Sequence, residues 1–117
     1  MAYNSFEDLE VWKRACNSAV QTYEMMKNCR DYGLKDQITR AAVSIASNIA
    51  EGAERDSKAE YIRFLHIAKG SAAELRTQVY IARKINLISE TDANMVNELK
   101  QISAMLHGLI KSLKLKT

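Results

Sequence analysis

Apolar residues recur along this chain at alternating intervals of three and four positions, the spacing that places side chains on one face of an α-helix. Stretches with this pattern predict four helices, over residues 6–29, 34–52, 58–86 and 90–114. Ser5, Ser57 and Ser89 each stand three residues before an acidic residue, which is a signal for a helix start. Helices with such short connections predict an all-α, antiparallel up-down four-helix bundle, in a single domain over residues 1–117.

Two of the predicted helices carry more apolar surface than such a bundle can cover. Residues 41–50 in the second helix include no charged side chain. The third helix has two adjacent apolar seams, one from Tyr61 to Ala82 and the other from Phe64 to Ile85. A helix that is apolar nearly all round is normally enclosed by its surroundings. We therefore expect other copies of the chain to cover these faces in a homo-oligomer.

The composition agrees with a helical protein and argues against several other classes. Proline is absent and glycine occurs four times, so little opposes long helices. Cys16 and Cys29 are the only cysteines, and no apolar signal-like segment follows Met1. No apolar run approaches the roughly 18 residues that span a bilayer. These features predict a cytoplasmic protein with reduced thiols and no membrane association.

Basic residues are concentrated in the second half of the chain. Residues 1–56 hold nine acids and seven bases, whereas residues 57–117 hold five acids and ten bases. Within the third predicted helix, one face opposite the apolar seams carries a basic stripe with one aromatic residue: Arg63, His66, Lys69, Arg76, Tyr80, Arg83 and Lys84. Positive charge spaced along a groove suits contact with nucleic-acid phosphates. The same stripe also fits an ordinary solvated helix face.

A second set of polar residues lies in or beside the apolar seams: Arg40, Asn48, Glu51, Arg55, Ser71, Glu74 and Gln78. Buried charges have to be paired, which predicts a structural network with Glu74 bound to Arg40 or Arg55. Asn48 and Gln78 would complete its hydrogen bonds. A binding or acid/base pocket formed by Glu51 and Glu74 is the functional alternative.

The remaining reactive side chains give little support to an enzyme. His66 and His107 lie on different predicted helices and lack the neighbouring ligands of a helical metal site, so neither a metal nor another cofactor is expected. Cys16 lies on the first apolar seam, where a cysteine acts either as a small hydrophobic residue or, less commonly, as a reactive thiol. No phosphate-binding glycine loop or nucleophile elbow occurs.

Several segments carry a family resemblance. The chain contains DLxVWxxA at residues 8–15, QxxRAA at 37–42, and NIAEG at 48–52 followed by RxSxxE at 55–60. Over nearly its whole length it resembles the four-helix-bundle proteins encoded in intervening sequences of bacterial 23S rRNA genes, also called the S23 ribosomal protein family.

The chain departs from this family pattern at Ala46 and in residues 28–32, where family members commonly have proline. We expect a smoother second helix and the same fold. The resemblance implies a ring-like homopentamer with no known catalytic activity. The chain is also distantly similar to the accessory proteins of diversity-generating retroelements, pentameric bundles that bind a reverse transcriptase and nucleic acid.

Two functions follow as hypotheses. The first is a non-enzymatic oligomer that presents its basic stripe to RNA, or to an RNA-associated enzyme such as a reverse transcriptase. The second is a purely structural or protein-interaction oligomer with no role in nucleic-acid binding.

Overall fold

Four long helices enclose the apolar core of the chain. The computed structural model describes residues 5–116, which form helices and turns and no strand. A 3-10 turn at Phe6–Asp8 precedes α1 (Glu10–Met25), α2 (Tyr32–Ala53), α3 (Lys58–Lys84), the single-turn α4 (Glu90–Ala93) and α5 (Met95–Leu115). Helix α1 packs against α2 and α5, and α3 packs against the same two helices. The predicted all-α bundle is confirmed.

The core is built unevenly from the four long helices. Large, fully buried side chains come from α2, α3 and α5: Ile38, Ile45, Ile49, Leu65, Leu75, Leu99, Ile102 and Leu106. Helix α1 buries mostly smaller residues, namely Val11, Ala15, Ser18 and Thr22. Its larger apolar residues Trp12 and Cys16 are only half-buried, so α1 leaves part of its apolar face uncovered.

Local hydrogen bonds explain where α3 begins and ends. The Ser57 hydroxyl accepts a hydrogen bond from the Glu60 backbone N–H at 3.1 Å, which is the predicted cap. At the other end Asn86 adopts a left-handed conformation with φ 63°. The Leu87 N–H then donates to the Ala82 carbonyl at 2.9 Å and the Asn86 N–H to the Arg83 carbonyl at 3.1 Å. This Schellman motif ends the helix at Lys84, two residues before the predicted boundary.

Two predicted helices are interrupted in the structure. The first does not run continuously over residues 6–29, because Leu9 is extended between the 3-10 turn and α1. Helix α1 also ends earlier, at Met25, where short-range hydrogen bonds such as that from the Cys29 N–H to the Met26 carbonyl replace the helical pattern. The fourth is divided at Asn94 into α4 and α5. The Ser89 cap is present, with its hydroxyl accepting from the Asp92 N–H at 3.0 Å.

An ion pair that was not predicted from the sequence joins α1 to α5. The Arg14 guanidinium Nε donates to Glu98 Oε2 at 2.7 Å, a second nitrogen donates to the other carboxylate oxygen, and a third contacts the Met105 sulfur. Both charged side chains are about two-thirds buried, with 31% and 33% exposed. The hydrogen bond from Arg14 lowers the pKa of the Glu98 carboxyl below its ordinary value.

We expect this ion pair to make stability depend on pH. Because the pKa of Glu98 is lowered in the folded state, its contribution is complete above the ordinary carboxyl pKa, about 4.3, and is lost as pH falls through the lower folded value. Glu98→Gln should therefore lower Tm at pH 7, and the difference from wild type should shrink between about pH 5 and pH 3. Thermal unfolding followed by circular dichroism measures both.

Asp36→Asn provides the control for this experiment, because it removes one carboxylate from the exposed ion pair with Arg40. Exposed pairs contribute little, so its effect on Tm at pH 7 should be small. A Tm loss for Glu98→Gln that is the same at pH 7 and pH 3 would contradict the assigned role of the carboxylate.

Candidate nucleic-acid interface

The basic stripe of α3 lies at the surface of the bundle. Lys69, Arg76 and Arg83 are half-buried and the other four stripe residues are exposed. Ser71 marks the side of α3 that faces α2, because its hydroxyl bonds to the Ser44 hydroxyl at 2.8 Å. At 3.6 residues per turn, Lys69 points roughly 160° away from Ser71 around the helix axis. Because α3 packs against α2 and α5, the half-buried Lys69, Arg76 and Arg83 lie on the side of α3 toward α5. Arg63, eight residues before Ser71, lies only about 80° from it around the helix and is therefore not on this side.

Helix α5 adds basic residues beside this stripe, and these were not predicted from the sequence. Its Glu98 and Met105 side chains contact Arg14 and so face α1. On the opposite flank of α5, toward α3, four exposed basic or histidine side chains recur at helical spacing: Lys100, His107, Lys111 and Lys114. The Lys58 ammonium donates to the Lys116 carbonyl, which places the end of α5 beside the start of α3. The helical spacing of these four residues in the sequence could have revealed this second basic face.

Acidic side chains neutralise only part of this charge. Arg63 pairs with Glu60 at 3.2 Å and Arg83 pairs with Glu90 at 2.9 Å. The hydrogen bond to Glu60 also raises the pKa of Arg63, whose guanidinium lies 4.7 Å from the Phe64 ring centroid. The other residues of the α3 stripe and the four residues of α5 form no ion pair within residues 5–116. We call them the α3–α5 basic surface: His66, Lys69, Arg76, Tyr80 and Lys84 with Lys100, His107, Lys111 and Lys114.

The structure brings together only part of the predicted polar network. The Asn48 amide donates to the Ser44 carbonyl at 2.8 Å and to the Ser44 hydroxyl at 2.9 Å, so Ser44 links Asn48 to Ser71. Gln78 is buried on the same side of α3, and its Oε1 has no hydrogen-bond partner within the described chain. The hydrogen bond between Ser44 and Ser71 joins α2 to α3.

The predicted pairing of Glu74 with Arg40 or Arg55 is wrong within residues 5–116. Arg40 pairs with Asp36 at 3.0 Å and Arg55 pairs with Glu51 at 2.9 Å. Each arginine uses the carboxylate four residues earlier on its own helix, which needs no contact between helices. Glu74 is exposed, and within residues 5–116 it forms no ion pair. Glu51 and Glu74 are therefore not held together as a carboxylate pocket.

The chain matches a known protein family over most of its length. The family model described as 23S rRNA-intervening sequence protein matches residues 7–108. The chain belongs to this family. No curated protein matches it in sequence.

The bundle also has a solved counterpart. It is similar to the crystal structure of a protein with unknown function from the S23 ribosomal protein family of Bacteroides thetaiotaomicron, with a TM-score of 0.81 and 24% identity. The alignment covers 86% of this chain and 98% of the other, and at this identity it shows the fold alone. Neither match extends to the accessory proteins of diversity-generating retroelements, so that similarity stays a prediction.

Two apolar faces are exposed within residues 5–116. The first is an open groove of about 420 Å³ between α1 and α2, lined by Phe6, Trp12, Cys16, Ala19, Val43, Ala46, Ser47 and Ala50. The second lies on α3, where Ile67, Ile81 and Ile85 are 40–54% exposed. The uncharged segment 41–50 thus has an uncovered outer side, since Val43 is 41% exposed.

Other chemistries find little support in the described residues of this family member. Burial raises the pKa of the Cys16 thiol, which keeps it protonated at neutral pH and disfavours a reactive thiolate. Within residues 5–116, no three His, Cys, Asp or Glu side chains are grouped to hold a metal ion. No helix in the same range is long and apolar enough to cross a membrane.

Proposed function

We propose that this protein is a non-enzymatic homo-oligomer, encoded in a 23S rRNA intervening sequence, that binds RNA through the α3–α5 basic surface. One observation carries the proposal: two adjacent helices align basic side chains that no carboxylate of the described chain neutralises. Phosphate contacts need positive charge along a groove, and they need few other features. The exposed Tyr80 adds an aromatic ring on which a base can stack.

The exposed apolar faces support self-association. The α1–α2 groove and the isoleucine face of α3 share no residue, so contact between the groove of one copy and the isoleucine face of the next is head to tail. Such a contact closes into a ring if the rotation between copies permits. A homopentamer is the oligomer that the family resemblance implies. Each added copy repeats the α3–α5 basic surface, which strengthens a weak RNA contact through multivalency.

The same apolar faces favour a second candidate function, a protein-interaction oligomer without a role in RNA binding. In that case the partner is another protein, and the basic surface is only a solvated face. RNA binding by the wild-type oligomer separates the two candidates.

We expect Lys69→Gln/Lys100→Gln to weaken RNA binding and to flatten its salt dependence. Removal of each lysine–phosphate interaction should reduce the slope of log K against log salt by about 0.7–0.9. Fluorescence anisotropy with labelled single-stranded and structured RNA, at several salt concentrations, measures affinity and slope.

The control is Lys13→Gln/Arg40→Gln, which removes the same charge from the exposed surfaces of α1 and α2. It should retain the wild-type slope. Equal reductions in both double variants would show non-specific attraction by net charge. No binding by the wild type at ~50 mM salt, where charge attraction is strong, would leave the protein-interaction oligomer as the function.

A further inference from the structure

The connection between α1 and α2 forms a second basic site, away from the α3–α5 basic surface. An open pocket of about 390 Å³ lies at this end of the bundle, and its lining is mainly polar. Its lining residues come from the connection and the start of α2: Lys27, Asn28, Cys29, Arg30, Tyr32 and Lys35. Three of these six residues are basic and none is acidic.

The three basic side chains in this pocket carry uncompensated charge. No ion pair within residues 5–116 involves Lys27, Arg30 or Lys35. The nearest carboxylate in sequence, Asp31, is used as the cap of α2, where its Oδ1 accepts from the Leu34 N–H at 3.1 Å. Asp36, on the next turn, is paired with Arg40 at 3.0 Å. Asp31 and Asp36 therefore have partners outside the pocket, and Glu24, three residues before Lys27, forms no ion pair within residues 5–116.

Two contacts hold the pocket residues in place. The Lys35 ammonium donates to the Lys27 carbonyl at 3.4 Å, which ties the first turn of α2 to the start of the connection. The Cys29 thiol contacts the Asp31 carbonyl at 3.7 Å. Because the Lys35 side chain is already held by its hydrogen bond to the Lys27 carbonyl, it loses less conformational entropy when a ligand binds. The lysine is positioned by the fold and keeps donors for an anion.

We propose that this pocket binds a phosphate group carried by a nucleotide, either free or within a strand. Arg30 supplies a planar fork of donors that matches phosphate oxygens, and Lys27 and Lys35 supply point charges. The Asn28 amide adds a neutral donor. Tyr32 is 70% exposed beside the pocket, and its ring provides a face for a base. The site does not depend on the proposed function, because none of its residues belongs to the α3–α5 basic surface.

The test is a titration of the 15N-labelled full chain with inorganic phosphate, adenosine 5′-monophosphate and a ten-nucleotide single-stranded RNA, each compared with chloride at equal ionic strength. We expect saturable amide shifts in residues 27–35. With phosphate and adenosine 5′-monophosphate the shifts should be confined to that segment, whereas the RNA should also shift residues of the α3–α5 basic surface. Arg30→Gln/Lys35→Gln should weaken binding at least tenfold. Tyr32→Ala should remove any preference for the nucleotide over inorganic phosphate and leave phosphate binding intact.

Arg40→Gln is the matched control, because it removes a basic residue of the same helix outside the pocket and should leave these shifts unchanged. If only the RNA binds, the ligand is a phosphate within a polynucleotide. If all three bind, the pocket accepts a phosphate group whether it is free or attached to a nucleotide. Shifts reproduced by chloride, or equal in Arg30→Gln/Lys35→Gln and Arg40→Gln, would overturn the proposal. Lys69→Gln/Lys100→Gln should retain the pocket shifts, so failure of the RNA proposal is distinguishable from failure of this one.

Discussion

Gly52→Ala is expected to lower the free energy of unfolding by about 1–3 kcal/mol, although alanine favours helix over glycine. Gly52 is buried near the end of α2, where the chain turns into α3. A Cβ atom at this position would lie 2.7 Å from Phe64 Cβ and 3.2 Å from the Tyr61 carbonyl oxygen. Both neighbours are fixed to the backbone of α3, so the helices have to move apart. Urea unfolding measures the decrease in stability.

Gly70→Ala is the matched control, because the same change is made at an exposed position inside α3. A Cβ atom at Gly70 would meet nothing within 4 Å. We expect a gain of about 0.5–1 kcal/mol from the lower conformational entropy of the unfolded chain. The two substitutions should thus have opposite signs. Wild-type stability in Gly52→Ala would mean that the close approach of α2 and α3 relaxes without cost.

The helices were predictable because their signals are local. The caps at Ser57 and Ser89 and the three-four spacing of apolar residues depend on neighbours within a few positions. The interruption at Asn94 was not predicted because it changes the hydrogen-bond pattern of one residue and leaves the apolar spacing in phase. Met95 is still buried directly after it. Leu9 was missed for a similar reason, since an extended residue can keep its side chain on the apolar face.

Interactions between helices were less predictable. The α3 stripe was visible because one helix carries it, whereas the contribution of α5 depends on which flank of α5 faces α3. Arg14 and Glu98 are separated by 84 residues, and no local pattern connects them. The proposed pairing of Glu74 failed because carboxylates on the same helices as Arg40 and Arg55 bind those arginines first. The pairing rule was sound, but the choice of partner required the three-dimensional structure.

The largest effect is expected for Ile45→Asp, which should abolish folding at room temperature. Ile45 is fully buried in the hydrophobic core of the bundle. An unpaired carboxylate there costs several kcal/mol, in addition to the disrupted packing, against a total stability of about 5–15 kcal/mol. Circular dichroism should show a largely unfolded chain. A cooperative thermal transition near that of the wild type would contradict the position of Ile45 in the core.

Val43→Asp tests the outer side of the same helix with the same new charge, and we expect the chain to fold but not to assemble. Val43 is 41% exposed and lines the α1–α2 groove, so in the subunit its aspartate reaches water and costs little. If another copy covers the groove, the charge is buried without a partner and the association between copies is broken. Light scattering should then give an oligomer for wild type and a folded monomer for Val43→Asp. A Val43→Asp oligomer of unchanged mass would exclude the groove as the interface between copies. A wild-type monomer at ~10 μM would exclude self-association itself, because an interface with a Kd of about 1 μM is mostly formed at that concentration.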